Sequence, residues 1–126
     1  MAEPSEQILF EEDDRLDQED FFTFLSDYVR IGKDTGRVVH RRKYKDLESQ
    51  QKKAIIGVMT QRALLELGHD NTYKAGPQRI ADLADEDLDD IYPAIRELGQ
   101  SGLLQKDDGR YYIPTEKYKQ AMGKFN

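Results

Sequence analysis

Apolar residues recur along this chain in helical and strand-like periods that begin only after a polar leader. Phe21, Phe24, Leu25, Tyr28 and Val29 stand at i, i+3, i+4, i+7 and i+8, the stripe of a short amphipathic helix that Asp17 or Asp20 would cap. The turn-forming run Gly32-Lys33-Asp34-Thr35-Gly36 follows, so residues 29–31 and 37–39 are predicted to pair as a small hairpin. A longer helix is predicted from a Ser49 cap to about residue 67. There Ile55, Ile56, Val58, Met59, Ala63, Leu64 and Leu67 form a wide apolar face, and Gly68 ends it.

The second half of the chain is more sharply punctuated. Gly76-Pro77 opens a helix over residues 77–84 that turns Ile80, Leu83 and Ala84 inward, with proline where its missing N–H does no harm. After a three-residue acidic turn, Asp85 or Asp87 caps a further helix with Leu88, Ile91, Ile95 and Leu98 at steps of three and four, and Gly102 stops it. Two helices separated by so tight a turn read as a helix-turn-helix. Residues 103–106 and 110–113 are strand-like and joined by Asp107-Asp108-Gly109, a hairpin signal in which glycine supplies a positive φ. A last helix over about residues 115–125 would pack Tyr118, Met122 and Phe125. The expected fold is therefore mainly α with a small β-hairpin, an α+β arrangement. It divides into a disordered acidic leader over 1–16, a helix and basic segment over 17–46, and the helix-turn-helix unit over 47–126.

Composition excludes several classes. The 126 residues are 37% hydrophobic and 35% charged, enough for one modest core under a charged surface. The longest apolar run, residues 54–59, is far short of a bilayer span, and the N-terminus lacks the basic-then-apolar order of a signal peptide, so a cytoplasmic protein is expected. With no cysteine there is no disulfide and no thiolate chemistry. His40 and His69 stand alone, so no metal or other cofactor is expected. Asp85, Asp87 and Asp89 match the opening ligands of a calcium loop, but that loop needs glycine at the place of Asp90 and glutamate at the place of Arg96. No nucleophile-base set, phosphate-binding glycine loop or opposed carboxylate pair is present, so the chain does not read as an enzyme.

The net charge of -6 is unevenly distributed. Residues 1–28 hold ten acids and one base, or -9, and the remainder holds 18 bases against 15 acids, or +3. Within that remainder residues 37–53 carry Arg37, Arg41, Arg42, Lys43, Lys45, Lys52 and Lys53 against Asp46 and Glu48, an excess of five. Arg37, Arg41, Arg42, Lys43 and Lys45 are thus the candidates for phosphate contacts. Residues 82–90 reverse the sign, with six acids in nine positions.

The string Ile91-Tyr92-Pro93-Ala94-Ile95-Arg96-Glu97-Leu98, followed by Gly102-Leu103-Leu104, resembles the recognition helix and exit of the winged helix-turn-helix superfamily, PadR-like and related archaeal or bacterial regulators among them. The resemblance covers about 45 residues. It implies a DNA-binding transcriptional regulator in which Gln78, Arg79, Tyr92, Arg96 and Gln100 face the major groove and Lys106 and Arg110 hold phosphates from the wing. Two features depart from that pattern: the block after the wing lacks the threonine-glycine pair of PadR-like chains, and the head of the recognition helix is acidic. A phosphate charge within about 4 Å of any of Asp85, Glu86, Asp89 or Asp90 costs on the order of 1 kcal/mol even in water. A winged-helix module that binds a protein instead of double-stranded DNA is the alternative reading. Phe21, Phe22, Phe24 and Tyr28, if exposed, would also favour a homodimer, as would the superfamily's habit of reading two half-sites.

Overall fold

The computed structural model describes residues 17–126, and the predicted leader lies outside the described residues. The fold is α+β. Helix α1 (Gln18–Ser26) leads into a hairpin of β1 (Val29–Ile31) and β2 (Val38–His40), then into a single turn, α2 (Arg42–Lys45). The central α3 (Gln50–Glu66) precedes α4 (Pro77–Ala84) and α5 (Leu88–Ser101). A second hairpin, β3 (Gln105–Asp107) and β4 (Arg110–Tyr112), is followed by a 3-10 turn (Thr115–Lys117) and α6 (Tyr118–Gly123).

Helix α3 is the axis of the core because almost its whole circumference is covered. Ala54 through Gln61, with Ala63 and Leu64, are buried. The two helices that follow lie against it and supply Ile80, Ala81, Ala84, Ile91, Ile95 and Leu98. Their approach is close at Gly57, where an added Cβ would stand 3.0 Å from the carbonyl oxygen of Ile80. Ser49 caps α3 by accepting from the Lys52 N–H, and Asp17 caps α1 by accepting from that of Asp20.

Between α4 and α5 the chain turns over three residues. Asp85 takes the left-handed conformation (φ 55°, ψ 47°) that ends α4, and Asp87 occupies the N-cap of α5 without a side-chain capping bond. Pro93 leaves α5 unbroken. It lies on the exposed face, where the unpaired carbonyl of Asp89 can be hydrated instead of orphaned.

Several boundaries differ from the sequence reading. Strand β2 begins one residue later than expected, because Gly36 (φ 72°) extends the turn and the Gly32 N–H is bound to the Arg37 carbonyl. Leu103 and Leu104 were expected to begin a strand. They are instead buried after the helix end, with the Leu104 N–H used on the Leu98 carbonyl, and β3 starts at Gln105. The β3–β4 loop is Asp108-Gly109, with φ of 55° and 80°, the positive pair required by a two-residue type I′ turn. The final helix is split between a 3-10 turn and α6.

The aromatics of the first helix are less exposed than the homodimer reading supposed. Phe21 and Tyr28 are buried, and Phe22 and Phe24 are half-buried against the core. Phe21 meets Tyr118 edge-on at 5.3 Å between ring centroids, and Phe24 meets Phe125 at 5.2 Å. These contacts hold the end of the chain against α1.

Candidate functional site

Helix α5 is amphipathic, and its two faces have different fates. Ile91, Ala94, Ile95 and Leu98 are buried, which leaves Tyr92, Arg96 and Gln100 exposed at successive turns, i, i+4 and i+8. Tyr92 is 38% exposed. The second hairpin packs beside the carboxyl half of this helix, since the Tyr111 ring stands 3.5 Å from where a Cβ on Gly99 would lie. Ala75 and Tyr111 exchange backbone hydrogen bonds of 2.9 and 2.8 Å, so the residue just before α4 adds a bridge to the hairpin. Lys106 and Arg110 project from that hairpin and are exposed, Lys106 with its ammonium 5.7 Å from the Tyr111 ring centre.

The two expected contacts on α4 are already engaged. Gln78 donates to Asp82 one turn on. Arg79 donates to Gln61 Oε1 at 2.9 Å and to Asp70 Oδ2 at 3.3 Å. Gln61, a buried amide in the middle of α3, also donates to Asp70 (2.9 Å) and to the Thr72 carbonyl (2.8 Å). The amide bond from Gln61 and the Asn71 N–H hold the Asp70 carboxyl below the usual carboxylate range, with the Arg79 charge adding to both. Arg79 therefore fastens the loop after α3 to the start of α4. Gln61, a long polar side chain among the apolar positions of this helix, is the sequence signal that could have revealed this network.

The basic segment divides into tethered and untethered groups. Arg41 donates to the Ser26 carbonyl (2.6 Å), and Lys43 pairs with Asp27 at 3.5 Å, both at the end of α1. Lys53 pairs with Glu86. Arg37, Arg42 and Lys45 are exposed and have no ion-pair partner among the described residues. The segment is anchored by its two aromatic rings. His40 Nε2 lies 2.8 Å from the Leu83 carbonyl oxygen, which requires a proton on Nε2, and its ring is 4.4 Å from that of Tyr44. The Tyr44 hydroxyl donates to the Ala84 carbonyl. Burial raises the Tyr44 pKa above the ordinary phenol value, and the nearby charges of Glu86 and Asp85 raise it further. Sequence gave no sign of this clamp on the carboxyl end of α4.

Charge is consequently sorted by position. At the head of α5, Asp85, Asp87, Asp89 and Asp90 are exposed and have no salt-bridge partner among the described residues, whereas Glu86 is held by Gln50 and Lys53. Farther along, Arg96 is followed by Glu97, and the hairpin carries Lys106 and Arg110 with Asp107 and Asp108. Seven residues of helix, about 10 Å, separate Asp89 from Arg96. The basic segment reaches α4 at Leu83 and Ala84, while the second hairpin is bonded at Ala75, so they occupy opposite ends of that helix. Among the described residues no group of acids and histidines is arranged to hold a metal ion. No described helix is long and apolar enough to cross a membrane. No family model matches the chain, and no curated protein or solved structure matches it either.

Proposed function

We propose that this chain is a winged helix-turn-helix module that binds double-stranded DNA, in the service of transcriptional regulation. Contact is through the exposed face of α5 from Tyr92 to Gln100 and the β3–β4 hairpin. The observation that carries the reading is the exposed stripe Tyr92, Arg96 and Gln100, beside a hairpin whose Lys106 and Arg110 are also exposed. A helix laid in the major groove uses such a stripe for base edges, and a neighbouring hairpin uses such cations for phosphates. Asp89 is about 10 Å along the helix from Arg96, near the Debye length at physiological salt, so its repulsion of phosphates is weakened at that end and persists beside Tyr92. Arg42 and Lys45 form a second cationic surface for flanking phosphates.

The test is fluorescence anisotropy of a random-sequence duplex across a salt series. Binding should weaken linearly on a log-log plot, and Lys106→Ala with Arg110→Ala should reduce the slope by about two units, at about 0.9 per phosphate. Complete absence of binding at low salt would overturn the reading. The four unpaired acids, Asp85, Asp87, Asp89 and Asp90, favour a second reading, an assembly module whose α5 head meets a basic protein. Under that reading Asp89→Asn with Asp90→Asn weakens the complex, whereas the same pair strengthens DNA binding.

A further inference from the structure

We propose that the chain's own leader docks its apolar triplet Ile8-Leu9-Phe10 into a groove between α1, β1 and the end of α3. The groove has a volume of about 290 Å³ and is lined by Phe22, Leu25, Val29, Ile31, Ala63 and Leu67. Leu67 is 47% exposed beside it. The structure places an apolar cleft here that the core does not fill, and residues 1–16 contain one run of three large apolar side chains to fill it.

Reach and charge both select this occupant. Phe10 is seven residues from Asp17, a link of up to about 25 Å when extended. Leu25 is eight residues along the helix from Asp17, about 12 Å, so the leader can fold back over α1 and set the triplet in the groove. Arg30 stands on the rim, and Lys33 and Arg37 follow on the same hairpin, opposed there only by Asp34. None of the three cations has an ion-pair partner among the described residues. Residues 1–16 carry six acids and one arginine, and four of the acids, Glu11 to Asp14, follow the triplet directly. Apolar burial supplies the attraction, and the acids complement the rim. A second copy fits less well, because symmetric pairing on this face sets Arg30, Lys33 and Arg37 against their own counterparts.

The chain has no cysteine, so Gln7→Cys provides one thiol for a nitroxide label on the 126-residue chain. Docking predicts loss of the NMR signals of Leu25, Val29, Ile31 and Leu67, with the surface of α5 unaffected. Adding Leu9→Ser and Phe10→Ser to the labelled chain should restore those signals. Mixing labelled, unenriched chains with unlabelled, isotopically enriched ones should leave the groove signals intact. The proposal is overturned if the losses are absent or spread over the surface, if they survive the serine pair, or if they appear between chains in the mixture.

Discussion

Lys53 on α3 reaches Glu86 in the α4–α5 turn, Nζ to Oε2 3.1 Å, with the two side chains only 17% and 19% exposed. Gln50 binds the other carboxylate oxygen of Glu86. The turn is thereby tied to the first part of the central helix. Glu86→Ala is expected to destabilise the fold by about 1–2 kcal/mol, since it leaves a shielded ammonium and an amide without their acceptor. A double-mutant cycle with Lys53→Met, read by urea unfolding, should show positive coupling that shrinks with added salt; zero coupling would refute the pairing.

Acid lability should be traceable to Asp70. Its carboxyl pKa is depressed in the folded chain, so its contribution is present above the unfolded value of about 4 and is lost as pH falls through the folded value. Asp70→Asn should flatten the fall in stability below pH about 4. Gln61→Leu should lower stability at neutral pH by about 2–3 kcal/mol, because Thr72, Arg79 and Asp70 all lose a partner. Denaturant midpoints measured across that pH range test both, and an unaltered midpoint for Gln61→Leu would contradict the network.

At high pH the sign reverses. Burial first of all raises the phenol pKa of both Tyr44 and Tyr118, so each keeps its proton in the folded chain and releases it more readily when unfolded. Their contribution is complete below about pH 10 and declines as pH rises beyond that toward the folded values. Tyr44→Phe should make alkaline unfolding less steep and should lower neutral stability by about 1 kcal/mol, through the unmet Ala84 carbonyl. Spectrophotometric titration of tyrosinate beside circular dichroism would find ionisation of these two rings only with unfolding; earlier ionisation would disprove it.

Two glycines should respond for different reasons. Gly109 has φ of 80° and open space around it, so Gly109→Ala meets only backbone strain, about 1–2 kcal/mol. Gly57 is helical but faces the Ile80 carbonyl at 3.0 Å, so Gly57→Ala should push α4 away and cost about 1–3 kcal/mol despite alanine's better helix propensity. Thermal unfolding distinguishes them from a neutral outcome at either position.

Local signals made most elements legible. Ser49 and Asp17 are short-range caps, Gly102 an abrupt stop, and Asp108-Gly109 a turn whose geometry belongs to two residues. What remained hidden depends on partners distant in sequence. Nothing near Tyr44 announces Ala84, and nothing near Arg79 announces Asp70 and Gln61. The apolar stripe on the first helix was visible, but periodicity alone does not say whether Phe24 meets water, a second chain or Phe125. For the candidate site, the exposed α5 stripe could be read from its spacing, whereas the separation of basic segment and hairpin along α4 could not.

That placement along α4 has a mechanical consequence. The eight-residue helix is gripped just before its start by a residue 36 positions downstream, through Ala75 and Tyr111 of the second hairpin, and at its finish by one 43 positions upstream, through Leu83 and His40 of the first. A pull on either terminal third is transmitted to the same short rod, so neither hairpin can peel away without loosening one of its ends. In hydrogen exchange the two hairpins and α4 should open as one cooperative unit, although the chain visits them at widely separated times during synthesis.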